Sequence, residues 1–95
     1  MIAKNENRFS IYINGVESAY MELDVEEGYL HGIQTFPAFR KLGFCRKLVE
    51  FAMTECWELT TFTNSQILED LLRKLGWTEE PSVMKEFKKM IWERR

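Results

Sequence analysis

The hydrophobic period changes once along this chain, and that change limits what it can fold into. Up to Phe36 apolar and polar residues largely alternate, as in strands covered on one face, whereas from Gly43 apolar residues recur every three to four positions, as in a helix. Arg8 to Asn14 and Val16 to Leu23 read as strands flanking Asn14-Gly15, a pair suited to positive φ and a tight hairpin. Gly28 offers a left-handed turn before a third strand, Tyr29 to Phe36, which Pro37 ends. These three strands form an antiparallel meander. Gly32 is unusual inside a strand and marks a bulge or the close approach of another backbone.

The helical half begins with Phe44, Leu48, Phe51, Ala52, Cys56 and Leu59 on one stripe. Glu58 to Thr63 then reads as a short strand, and the strand-helix-strand order implies a right-handed crossover to a parallel neighbour. A second helix is expected over Asn64 to Gly76, with Thr63 and Gln66 as a capping box and Ile67, Leu68, Leu71, Leu72 and Leu75 as its apolar stripe. The segment from Pro81 onward fits a helical stripe through Val83, Phe87, Met90 and Ile91, yet its aromatic and branched residues also suit a final strand; periodicity alone favours helix. The expected fold is α+β: one domain over residues 1–95, with a mixed, mostly antiparallel sheet and two packed helices.

Composition narrows the function classes. The 95 residues are 45% hydrophobic, enough for an ordinary core, and 13 basic against 15 acidic residues give a net charge of −2. A surface built to coat nucleic acid is not expected, so any anion site is local. No apolar run approaches the roughly 20 residues that span a bilayer, and the N-terminal residues lack the apolar core of a signal peptide, so a cytoplasmic protein with no membrane partner is expected. The cysteines, Cys45 and Cys56, lie about 16 Å apart along a helix axis and cannot pair within the chain. With His31 as the only histidine, no zinc-ligand spacing exists.

Arg40, Lys41, Arg46 and Lys47 crowd the start of the first helix, while Glu50, Glu55 and Glu58 come later. This charge gradient opposes the helix dipole, at a few tenths of a kcal/mol per exposed cation. Either the long side chains extend into solvent, or an anion lies at the helix start, held by amides near Gly43 and neutralised by the cations.

The order of these pieces resembles the acyl-CoA-binding motif of the GCN5-related N-acetyltransferases: arginine or glutamine, two residues, glycine, one residue, then glycine or alanine. Here the motif is Arg40-Lys41-Leu42-Gly43-Phe44-Cys45, departing at Cys45, which is still small. The resemblance continues through the strand at Leu59 to Thr63 and the asparagine-led helix ending Leu75-Gly76-Trp77, and covers Phe9 to Trp77. It implies that the amides of Lys41, Leu42, Gly43, Phe44, Cys45 and Arg46 bind the pyrophosphate of acetyl-CoA. A bulged strand near Ile33, Thr35 and Phe36 would face its pantetheine arm, and Asn64 matches an asparagine that often contacts the cofactor.

Acetyl transfer to an amine needs a base near neutral pH, and His31, four residues before Thr35, resembles the base histidine of the arylalkylamine branch of that family. Glu22 on the neighbouring strand is the second candidate. Family members often carry a tyrosine as general acid where this chain has Leu72. The tyrosines Tyr12, Tyr20 and Tyr29 read as sheet packing, and Cys45 lacks a base partner that would make it a nucleophile. The resemblance also implies that the N-terminal strand and helices forming much of the acceptor pocket are missing. That leaves an acceptor side open to a protein or peptide amine, or completed by a second subunit in a homo-oligomer. Two other readings stand beside the acetyltransferase: a protein of the same fold that binds CoA or a protein partner without catalysis, and a nucleic-acid patch formed by the basic loop with Phe36, Phe39 and Phe44.

Overall fold

A computed structural model describes residues 2–95. Its strands are β1 (Ile2–Asn5), β2 (Arg8–Ile13), β3 (Val16–Asp24), β4 (Tyr29–Thr35), β5 (Glu58–Thr63), β6 (Thr78–Glu80) and β7 (Lys88–Glu93). The helices are α1 (Phe44–Glu55) and α2 (Gln66–Lys74), and a 3-10 turn spans Pro37–Phe39. The strands form one seven-stranded sheet in the order β1-β2-β3-β4-β5-β7-β6, antiparallel everywhere except between β4 and β5. The expected α+β class, meander, crossover and two helices are therefore present.

The β2–β3 hairpin closes where expected, with Asn14 at φ 51° and Gly15 at φ 79°, the double positive φ that matches the twist of paired strands. Two strands were not anticipated. β1 is short and mostly exposed, and turns into β2 through Glu6 at φ 57°; β6 has three residues and pairs with β7. The ambiguous C-terminal segment resolves as a loop followed by a strand. Val83 is 98% exposed and Phe87 sits in the loop, so the helical stripe was a coincidence of spacing, and Met90 and Trp92 instead alternate along β7 toward the core.

Both helices lie on one face of the sheet. Met21, Leu23, Leu30, Leu59 and Met90 project from successive strands into the core that receives Leu48, Val49 and Ala52 of α1, each large side chain contributing about 1.5–3 kcal/mol by burial. Lys88, on the same face as Met90, reaches the α2 residue Glu69 at 3.1 Å and so places α2 on this side. Among the described residues the opposite face carries no helix. Arg8, Tyr20, Glu22, Tyr29 and Phe62 project there, with the Tyr29 and Phe62 rings 6.2 Å apart across the parallel strands.

Helix ends are fixed by different devices. α2 is capped by Ser65, whose hydroxyl accepts from the Leu68 amide at 3.2 Å, while Thr63 Oγ1 accepts from the Ser65 amide; the expected Thr63–Gln66 box is thus displaced by two residues. At the end of α1 the Arg94 guanidinium donates to the carbonyls of Met53, Thr54 and Cys56 at 2.7–3.0 Å and lies over the Trp57 ring. This satisfies acceptors that a helix terminus leaves free and places a cation at the negative end of the dipole.

Candidate functional site

The parallel pairing of β4 with β5 is brief, and its brevity opens the site. Register contact is confined to Tyr29 and Thr60, supported by the Thr60 amide on the Gly28 carbonyl at 2.8 Å and by Thr61 Oγ1 on the Leu30 carbonyl at 2.7 Å. Past Leu30 the strands part. β3 pairs with Ile33, Gln34 and Thr35 on one side, so the β4 backbone groups that point the other way have no strand partner among the described residues. Gly28 makes the close approach possible: at φ +66° a Cβ would stand 2.5 Å from the Glu58 carbonyl oxygen.

Beside this free edge, between β4, the start of α1 and one face of α2, lies a groove of about 920 Å³. Ile33, Gln34 and Thr35 line it from β4; Arg40, Lys41, Gly43, Phe44, Cys45 and Arg46 from the loop and first turn of α1; Ser65, Ile67, Leu68, Asp70, Leu71 and Lys74 from α2. The start of α1 has neither a side-chain cap nor an acidic residue in its first turn. Its first intrahelical bond runs from the Lys47 amide to the Gly43 carbonyl, leaving the Phe44, Cys45 and Arg46 amides available. Lys41 and Gly43 both take positive φ, 69° and 78°, the alternation that turns successive amides toward one point. A Cβ on Gly43 would meet no atom within 4 Å, so its glycine answers to conformation and leaves open space in front of the amides.

The basic side chains at this helix start remain largely uncommitted. Arg46 pairs with Glu50 at 3.5 Å, an exposed contact of a few tenths of a kcal/mol, and Arg40 makes a long 3.4 Å bond to the Thr35 carbonyl. Burial pushes the Cys45 thiol up from its ordinary value, so the surrounding cations do not make it a thiolate nucleophile.

The two candidate bases occur together on the open face of the sheet. Glu22 is paired with Gly32 and Leu23 with Leu30, so His31 is the extra residue of a β-bulge. Regular alternation would turn His31 and Gly32 to opposite faces; the bulge aims both to the face of Glu22, and the His31 ring packs 4.4 Å from that of Tyr29. Tyr20, Glu22, His31, Gly32, Ile33 and Gln34 line a depression of about 260 Å³, and Ile33 and Gln34 also line the larger groove. One stretch of β4 therefore separates the uncapped, cation-rich helix start from the imidazole. The expected bulge is present, but it lies at His31, ahead of Ile33 to Phe36.

Of the residues singled out from the sequence, Ile33, Thr35, Arg40, Lys41, Gly43, Phe44, Cys45 and Arg46 line the groove. Leu42 points to solvent at 56% exposure, Phe36 packs 6.0 Å from Tyr20, and Asn64 is exposed beside Ser65, which takes its place in the wall. The α2 wall was missed. Ile67, Leu71 and Lys74 recur at helical spacing, and Ile67, which the sequence places in the apolar stripe of α2, is 85% exposed and faces the groove. Leu72 is fully buried in the core, and Leu71 is the neighbour that faces the groove.

No protein-family model matches the chain, and no curated protein matches its sequence. Solved structures do match. The N-acetyltransferase YlbP of Bacillus subtilis, solved in complex with coenzyme A, superposes with a TM-score of 0.71 at 19% identity, over 92% of this chain and 67% of that one. The PaiA N-acetyltransferase of Thermoplasma acidophilum, also with coenzyme A, gives 0.76 at 12% identity over 90% and 59%. An acetyltransferase of the GNAT family from Listeria monocytogenes gives 0.71 at 14% identity over 92% and 64%. The chain thus spans about 60 to 67% of the length of these neighbours. Its strand order, its parting of β4 from β5 and its glycine-led α1 give it the fold of the GCN5-related N-acetyltransferases, GNAT.

Proposed function

We propose that the protein is an acetyl-CoA-dependent N-acetyltransferase that modifies an amine. The observation that carries this reading is the uncapped, acid-free start of α1 opening onto the unpaired edge of β4. The fit to CoA rests on chemistry at both ends of the groove. A diphosphate needs converging amides and cations, which Gly43 to Arg46, Arg40, Lys41 and Lys74 supply; an amide-bearing arm needs a free strand edge and apolar walls, which β4, Ile67, Leu68 and Leu71 supply. Acetyl-CoA would bring a thioester whose carbonyl carbon an amine can attack, with the C–S bond breaking and the sulfur leaving as a thiolate.

The chain's own residues account for the rest. His31 takes the proton of the incoming ammonium, leaving a neutral nitrogen with a free electron pair, and the bulge holds its ring on the face from which an acceptor arrives. No helix of the described residues covers that face, so amines of small molecules and of peptide or protein ends can both reach it. Leu72 is buried, so no side chain at that position protonates the leaving thiolate; as the amide forms, the nitrogen gives its second proton to water, and the thiolate takes a proton from water in turn. An acetyl-transfer assay over small amines and peptides tests the reading. Transfer by the parent protein with at least a tenfold lower kcat in His31→Ala is expected; equal rates in the two remove His31 as base.

A second reading, a CoA-binding protein without transfer, is favoured by the absence of a hydroxyl at Leu72. Binding of acetyl-CoA without acetylation of any amine is its signature.

A further inference from the structure

The base and its neighbour Glu22 are on the same face, yet they differ in what surrounds them. Arg8 lies directly across from Glu22 in the β2–β3 register and brings positive charge to its side of the sheet. Its hydrogen bonds go elsewhere: Nε and Nη2 both donate to Glu17, which also accepts from Ser10 Oγ at 2.6 Å, and the guanidinium lies 3.6 Å over the Tyr20 ring. Arg8 holds the Glu17 carboxyl below its ordinary value, with Ser10 adding to the effect. A second bulge, at Ser18 of β3, turns Glu17 to this face, since Glu17 pairs with Tyr12 while Ala19 pairs with Ile11. The local cation is therefore spent on Glu17. Glu22 makes no ion pair among the described residues and stands exposed in the depression that contains the His31 imidazole.

We propose that Glu22 determines acceptor specificity: it selects amines that carry a second positive charge within a few bonds of the reacting nitrogen. Glu22 is a good partner for a cation, since it makes no ion pair among the described residues and is reachable from the open face. Free diamines and peptide amines flanked by a basic residue share this chemistry. The proposal rests on the acetyltransferase reading and assigns His31 and Glu22 separate tasks in it, deprotonation to the first and charge recognition to the second.

The test pairs 1,4-diaminobutane with n-butylamine, and a lysine peptide flanked by arginine with one flanked by alanine, in steady-state acetyl transfer. The dicationic member of at least one pair is expected to have a tenfold or greater advantage in kcat/KM, carried by KM and weakening as salt is raised, and Glu22→Gln should reduce that advantage to near unity. Which pair shows it identifies the source. Absence of a preference in both pairs, or a Glu22→Gln effect on kcat equal for all acceptors, overturns the proposal. Binding gives a readout independent of catalysis: 1,4-diaminobutane should shift the His31 ring resonances in the parent and do so at tenfold higher concentration in Glu22→Gln. If no amine is acetylated but this difference persists, transfer fails while the cation site stands; equal titrations in the two proteins remove the site.

Discussion

Replacing Gly28 with alanine should both destabilise the fold and disturb the groove, and the structure allows the size to be worked out. The residue sits at φ +66°, which costs an L-amino acid about 1–2 kcal/mol. The new Cβ would also lie 2.5 Å from the Glu58 carbonyl oxygen, a backbone atom fixed by the β5–β7 ladder, so either β5 moves or the Gly28 turn does. Overpacking of this kind typically adds about 1–3 kcal/mol, for a total of roughly 2–5 kcal/mol. At about 4–8 °C per kcal/mol for a domain of this size, Tm should fall by roughly 10 °C or more. The same turn supplies the carbonyl that receives the Thr60 amide, so movement there changes how β4 and β5 part and should weaken acetyl-CoA binding as well. Gly15→Ala is the control. Its φ is +79° but a Cβ there meets nothing within 4 Å, so only the conformational cost of about 1–2 kcal/mol remains. Thermal unfolding followed by circular dichroism compares the two, and equal losses would refute the argument from close approach.

Two further outcomes follow from charged contacts. Arg94→Ala removes the donor to Met53, Thr54 and Cys56 and the cation at the end of α1; a loss of about 1–3 kcal/mol is expected in denaturant unfolding, with Arg94→Lys recovering only part because an ammonium cannot lie flat over the Trp57 ring as the planar guanidinium does. Glu69, covered by the fold and held by Arg73 and Lys88, has its carboxyl lowered, chiefly by the bond to Arg73. A depressed folded-state value means stability that is present above the carboxyl's ordinary range and lost as pH falls through it toward the lower folded value. The stability of the parent should therefore decline on acidification more steeply than that of Glu69→Gln, and parallel pH curves would contradict this.

How much of this was legible in the sequence depended on whether a signal was local. The Asn14-Gly15 turn, the β2 and β3 strands, α1 after Gly43 and β5 each carry their own period or turn residue, and each appears where the sequence places it. β1 and β6 are short, polar edge strands whose existence depends on a partner already in the sheet, which no local pattern reveals. The loop before β7 misled because Val83 and Phe87, though apolar, lie outside the core. At the groove, Gly43 was readable because a positive φ favours glycine, and Arg40, Lys41 and Arg46 because cations at a helix start stand out against the dipole. Ile67 was not, because an apolar residue facing a groove and one facing a core follow the same helical spacing. The bulge that turns His31 toward Glu22 is a one-residue mismatch between two strands, and Gly32 pointed to a bulge without fixing its position.

The account stands most directly on whether the start of α1 binds a diphosphate. Titration calorimetry of the parent with acetyl-CoA should show one site per chain, and Gly43→Glu should abolish it, since the new carboxylate enters the space before the Phe44 to Arg46 amides and the left-handed φ of +78° disfavours any side chain. Gly43→Ala separates the two effects: it keeps the site uncharged and should retain measurable binding at reduced affinity. No heat with the parent, or undiminished affinity in Gly43→Glu, would contradict the assignment of this helix start as the CoA site.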